Sequence, residues 1–154
     1  MELKRGDRAP EFCLPDQNNK QVCLEDFKGE WLLIYYYPKD DTPGCTKEAC
    51  SMRDNMANFN RMGARVIGVS KDSVKSHKKF EAKYGLNYPL LADEGAKVIK
   101  KYGMWKPKKF MGREFLGTVR SSVLVDGEGK IAKIYENVKP EGHAQEVMAD
   151  LERL

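Results

Sequence analysis

Four cysteines, Cys13, Cys23, Cys45 and Cys50, carry the most reactive side-chain chemistry in this 154-residue chain. Two of them close the run Pro38-Lys39-Asp40-Asp41-Thr42-Pro43-Gly44-Cys45-Thr46-Lys47-Glu48-Ala49-Cys50. Thr42 suits a helix N-cap, and Pro43 suits the first helical position, where a missing N–H costs nothing. Gly44 and Cys45 then fall at the second and third positions. The N–H groups of a first turn lack intrahelical partners, and the helix macrodipole adds positive potential at the same end. A thiolate, the nucleophilic form, is stabilised at such a position. Gly44 leaves its surroundings open to a small substrate.

Cys50 lies five residues further on. On an intact helix that spacing separates the two Cα atoms by ~8.6 Å, from a rise of ~7.5 Å and a turn of ~140°. A disulfide tolerates no more than ~6.8 Å. Cys50 is therefore either a small core residue beside Ala49, or a redox partner that Cys45 meets only when the first helical turns unwind.

These residues need elements to hold them. Trp31–Tyr37 is a continuous aliphatic and aromatic run, which predicts a strand buried on both faces and ended by Pro38. Residues 43–62 predict one helix, with Ala49, Met52, Met56 and Phe59 as its apolar stripe and Gly63 closing it. Arg65–Ser70 predicts the next strand, completing a right-handed βαβ unit. Further helices are predicted over Ser73–Tyr84 and Glu94–Tyr102, each stopped by a glycine. Residues 103–117 read as a loop. Arg120–Asp126 and Lys130–Tyr135 predict a hairpin around Gly127-Glu128-Gly129, and Pro140–Leu154 a final helix. Residues 1–30 read as irregular, with turns near Pro15–Asn19 and a short helical turn at Leu24–Lys28. A βαβ half followed by a ββα half is the thioredoxin-like arrangement. The expected fold class is thus α/β, a mixed central sheet with helices on both faces and an N-terminal extension, as one domain over 1–154.

Composition agrees with a water-soluble globule. Apolar residues are 41% and charged residues 32% of the chain, and 27 Lys and Arg against 23 Asp and Glu leave a net charge of +4. The longest apolar run is far shorter than the roughly 20 residues that a bilayer demands, so no membrane association is expected. The opening Met1–Asp7 lacks an apolar region of signal-peptide type, and a cytoplasmic protein is expected. In a reducing cytosol a disulfide framework is not expected, so Cys13 and Cys23 read as small buried residues. The lysine clusters Lys106, Lys108, Lys109 and Lys75, Lys78, Lys79 read as solvated surface, and no nucleic-acid partner is expected. His77 and His143 read as solvated or capping.

The run Pro38-x-x-x-Thr42-x-x-Cys45 resembles the active-site signature of peroxiredoxins, and Thr46-Lys47-Glu48-Ala49-Cys50 resembles the bacterioferritin comigratory, or Q-type, branch. The likeness extends through Gly6-Asp7-x-Ala9-Pro10-x-Phe12, Gly68-Val69-Ser70, Tyr88–Asp93 and Gly117–Ser122. It implies a thiol peroxidase acting on hydrogen peroxide and organic hydroperoxides. In that reading Cys45 is the peroxidatic and Cys50 the resolving cysteine. Arg120 arrives from a distant strand beside the thiolate, Thr42 offers a hydrogen bond, and Pro38 shapes the pocket. The resemblance also implies a thioredoxin-like dithiol as reductant and requires no metal or organic cofactor. Resolution within one chain leads us to expect a monomer. Asp41 departs from the pattern, since relatives often carry an aromatic residue there.

Two other classes fit less well. A thioredoxin-type oxidoreductase carries Cys-x-x-Cys, which the five-residue spacing is not. A zinc module would use paired gaps of two to four residues, and the ten-residue step from Cys13 to Cys23 is too loose.

Overall fold

The computed structural model describes residues 2–154. A five-stranded sheet forms its centre, in the order β5-β4-β3-β8-β9. The middle strand, β3 (Trp31–Tyr36), pairs in parallel with β4 (Ala64–Ser70), and β4 in parallel with β5 (Leu90–Ala92). On its other side β3 pairs antiparallel with β8 (Ser121–Val125), which pairs antiparallel with β9 (Ile131–Tyr135). The sheet is therefore mixed, as expected.

Side chains of β3 alternate between two cores. Leu32, Ile34 and Tyr36 pack with Phe12, Ile99 and Tyr102 on one face. Leu33, Tyr35 and Tyr37 pack with Cys45, Met52, Phe59, Phe80 and Val147 on the other. Burial on both faces explains why the run lacks polar alternation. Gly68 on β4 admits the Tyr35 ring, because a Cβ there would stand 2.9 Å from Tyr35 Cζ.

The second face carries α1 (Pro43–Asp54), α2 (Met56–Arg61), α3 (Val74–Tyr84) and α5 (His143–Arg153). The single helix predicted over 43–62 is two helices. At Asn55 ψ turns to 6°, and the Asn55 side chain donates to Ser51 O at 2.8 Å, so the chain re-enters helix one residue later. The predicted stripe survives the break: Ala49, Met52, Met56 and Phe59 are all buried.

The first face is covered by α4 (Lys97–Lys101), a 3-10 turn at Leu24–Phe27, and a hairpin of β1 (Cys13–Pro15) with β2 (Gln21–Cys23). Three expectations are corrected. Residues 13–23 form this hairpin and are not irregular. The helix predicted from Glu94 begins at Lys97 and follows the short strand β5, whose three residues are too few to announce themselves. Residues 103–117, read as a loop, hold β6 (Trp105–Phe110) and β7 (Arg113–Thr118), a separate two-stranded ribbon.

Cys13 and Cys23 also correct the sequence reading. They face each other across the first hairpin and are joined as a disulfide, with Cα atoms 4.0 Å apart. Cys13 is exposed and Cys23 half-buried, so neither is a core residue. Directly opposed strand residues are near enough to bond, which ten residues of sequence separation conceals.

Among the described residues, no helix is long and apolar enough to cross a membrane.

Candidate active site

Cys45 stands where the capping argument places it. Thr42 is the N-cap of α1 with extended backbone angles, and Pro43 is the first helical residue. The first ladder bond runs from Thr46 N–H to Thr42 O at 2.8 Å. Gly44 and Cys45 stand ahead of it, so their N–H groups are free to meet an anion. The Thr42 hydroxyl does not cap the helix; it donates to Lys39 O at 2.9 Å and tightens the approach turn. Cys45 itself is 1% exposed.

Arg120, 75 residues downstream, meets it. It precedes β8, antiparallel to β3, and so arrives beside the end of β3 from which α1 departs. Its Nη2 donates to Cys45 Sγ at 3.3 Å, and its Nη1 to Glu48 Oε1 at 3.0 Å. Burial works against the arginine's charge, but the Cys45 sulfur and the Glu48 carboxyl outweigh it and raise its pKa above the ordinary value. A guanidinium has the planar fork needed to serve both at once. Gly44 makes room for it: a Cβ there would lie 3.0 Å from Arg120 Nη2.

Glu48 was missed in the sequence, although its i+3 spacing from Cys45 puts both on one side of α1. It is fully buried, and its Oε2 has no hydrogen-bond partner. Burial pushes its pKa up to about 7, against the downward pull of Arg120. The unfolded chain loses this proton near its ordinary value of 4.5, while the folded chain keeps it to about 7. The associated stability is complete below the lower value and lost as pH rises to the upper one. Glu48→Gln should therefore gain on the wild type by about 3 kcal/mol between pH 4 and pH 8, as read from urea denaturation at both.

Lys108 reaches in from β6. Its Nζ donates to Thr118 O at 2.8 Å, and burial together with Arg120 lowers its pKa while Cys45 opposes the shift. Only part of the 106–109 lysine cluster is therefore plain solvated surface.

Cys50 is a free, half-buried thiol in the third turn of the same helix, and Cys45 is free as well. Because α1 runs unbroken between them, the two are not bonded. Pro38 is half-buried and ends β3. Asp41 takes a left-handed conformation with φ 55° and accepts from Lys83 Nζ and Tyr84 Oη, so this position is tied to α3.

His77 and His143 are not solvated. His77 is fully buried, with Nδ1 2.7 Å from Asp40 Oδ2 and Nε2 3.0 Å from Leu91 O. Asp40 also accepts from Tyr37 Oη and Ser76 Oγ, and its N–H donates to Asp72 Oδ2 at 2.9 Å. The cluster Asp40, Asp72, His77 could hold a cation by spacing, yet its atoms are spent on one another and on these neighbours. It braces the 38–42 loop. His143, at the start of α5, bonds Ser122 Oγ and Glu146 Oε1, and burial lowers its pKa.

A thiol at the start of the first main helix of a thioredoxin-like sheet, with an arginine on the sulfur, is the arrangement expected of a thiol peroxidase. Residues 5–134 match the AhpC/TSA family, and the chain belongs to it. It is similar over 146 residues, at 44% identity, to Peroxiredoxin Bcp of Escherichia coli, covering 95% of this chain and 94% of that one. The structure of a PrxQ mutant from Xylella fastidiosa superposes with a TM-score of 0.93 at 33% identity, covering 99% and 98% of the two chains. That of the Xanthomonas campestris bacterioferritin comigratory protein, described for its alkyl peroxide reduction activity, gives 0.87 at 38% identity, covering 92% and 90%. The expected branch and fold class are both borne out, and peroxide reduction by a thiol is the chain's chemistry.

Proposed function

We propose that Cys45 is the peroxidatic residue and Cys50 its resolving partner, in one thioredoxin-like domain over 1–154. The observation that carries this is the Arg120 Nη2 to Cys45 Sγ contact at the N-terminus of α1. The Cys45 thiolate attacks the terminal oxygen of a peroxide; an S–O bond forms, the O–O bond breaks, and water or an alcohol leaves with a proton. A depressed thiol pKa does not by itself give speed, since nucleophilicity falls with it. Rate comes from orienting the peroxide in line with sulfur and from donors aimed at the departing oxygen. Arg120 and the Cys45 N–H supply these donors. The Thr42 oxygen positions the peroxide proton, and Pro38 walls the pocket.

The Cys45 sulfenic acid then condenses with the Cys50 thiol, forming the disulfide and releasing water. The helix keeps the two apart, so α1 must open at this step. A dithiol of the thioredoxin type returns both to thiols, giving up two electrons and two protons. Hydrogen peroxide and organic hydroperoxides are the substrates, the latter in keeping with the activity stated for the Xanthomonas campestris relative. No metal or organic cofactor enters the cycle. We place the enzyme in the cytoplasm as a monomer, since the whole cycle lies within one chain.

The test is a quenched time course. Reduced protein is mixed with one equivalent of hydrogen peroxide, alkylated at intervals, and mapped by mass spectrometry. Rapid loss of Cys45 followed by a Cys45–Cys50 linked peptide is expected; uniform slow reaction of all thiols would remove the proposal. In Cys50→Ser, Cys45 should reach sulfinic acid at peroxide levels several-fold below those that over-oxidise the wild type, read as the Cys45 peptide mass.

A further inference from the structure

The Cys13–Cys23 disulfide has no part in the cycle above. It lies with the first core, on the opposite sheet face from Cys45. The exposure of Cys13 opens it to an external thiol. Its hairpin is nevertheless tied to α1 through a short series of contacts. At the tip, Asp16 Oδ1 accepts from Asn18 and Lys20 N–H and closes the turn. Gln17, 5% exposed, is thereby driven against the edge of the sheet. Its Nε2 donates to Tyr88 O at 3.0 Å and to Glu81 Oε2, and its Oε1 accepts from Leu90 N–H at 2.9 Å. Tyr88 carries the contact through to the other face. Its hydroxyl donates to Ala49 O at 2.9 Å and lies 2.7 Å from the Tyr35 hydroxyl. Ala49 sits on α1 between Cys45 and Cys50, on the stretch that must open.

We propose that Cys13–Cys23 is a second thiol–disulfide site, exchanged by an external dithiol, whose redox state sets how readily α1 opens. The exchange is balanced. A thiolate of the incoming dithiol attacks Cys13 Sγ, the Cys13–Cys23 bond breaks, and Cys23 leaves as a thiolate that takes up a proton. The second thiol of the reductant then displaces Cys13, so two electrons and two protons pass to the pair. Closed, the bond holds β1 and β2 in register and keeps Gln17 seated on Tyr88 and Leu90. Opened, the tip gains freedom, Tyr88 is held less firmly, and the Ala49 carbonyl loses a constraint. Opening of α1 becomes more frequent, which favours disulfide formation with Cys50 over further oxidation of Cys45. The proposal rests on the Cys45–Cys50 reading only for that last consequence.

Hydrogen exchange followed by mass spectrometry separates the two. The full chain is compared with Cys13 and Cys23 bonded, with both replaced by alanine, and as Gln17→Ala with the bond intact. Exchange across Thr46–Met52 should quicken about tenfold in both variants while β3 stays protected, since a local opening leaves the central strand untouched. Uniform exchange across α1 in all three proteins would overturn the latch, and quickening in β3 as well would reduce the pair to a general staple and overturn it equally. The yield of Cys45–Cys50 linked peptide, measured in the same samples after peroxide, reports on the resolving pair separately. A graded dithiol titration of the wild type should open Cys13 and Cys23 together in the folded protein; a pair that opens only on unfolding would also refute the exchange.

Discussion

Arg120→Met is expected to lower kcat/KM for peroxide by about 10²–10³-fold, the usual loss when one preorganised donor is removed from a developing oxyanion. Three functions are lost together. The sulfur loses the donor at 3.3 Å, the departing oxygen would lose the cation proposed for it, and Glu48 loses its one side-chain hydrogen bond among the described residues. The fold should tolerate the change, because burial already favours the protonated form of Glu48 and a neutral carboxyl needs no counter-charge. Stopped-flow oxidation of reduced protein gives the rate, and a denaturation curve shows whether stability has moved. Arg120→Lys should fall between, since one ammonium cannot span Cys45 and Glu48 at once. A methionine variant with wild-type kcat/KM would take Arg120 out of the mechanism.

His77→Leu should cost about 3 kcal/mol of folding stability, the upper end for stripping buried polar groups of a hydrogen-bond partner. Asp40 would keep the donors Tyr37 Oη and Ser76 Oγ, yet lose the imidazole that faces it at 2.7 Å. Both His77 nitrogens face acceptors, the Asp40 carboxylate and the Leu91 carbonyl, and leucine leaves both without this partner. Asp40→Asn combined with His77→Leu should recover part of the loss, because no uncompensated charge then remains; urea denaturation of the four proteins of the cycle measures it. Activity should fall alongside stability in the single variant, since Asp40 anchors the loop that delivers Thr42 and Cys45.

The reach of the sequence varied with how local each cause was. Thr42, Pro43 and the stripe of Ala49, Met52, Met56 and Phe59 carry helix signals within a few residues, and the start of α1 follows from them. The run Trp31–Tyr37 is legible because burial on both faces leaves no other composition. Arg120 is different. Nothing in its own neighbourhood marks it, and its meeting with Cys45 depends on β8 pairing with β3; only the family resemblance brought it forward. Residues 103–117 were missed because the outer part of this ribbon, with Phe110, Met111, Phe115 and Leu116 in solvent, has no inside–outside alternation to read. His77 was hidden by the lysines of α3, which describe the helix's outer face and say nothing of its inner one. The bond between Cys13 and Cys23 was set aside on grounds of compartment, and strand register, a long-range property, decided it.

The break at Asn55 has a mechanical meaning. Helix melting is cooperative along an uninterrupted ladder, so a single helix over 43–61 would pass disorder from Cys50 towards Phe59. Here the ladder ends at Asp54, and a fresh one starts at Met56. Phe59 and Met56 of α2 lie in one core cluster with Ala64 and Val66 of β4, which gives α2 an anchor outside α1. If α1 opens as proposed, the break works as a firebreak: it would confine the excursion to the twelve residues of α1 and leave α2 as a folded stub from which α1 rewinds.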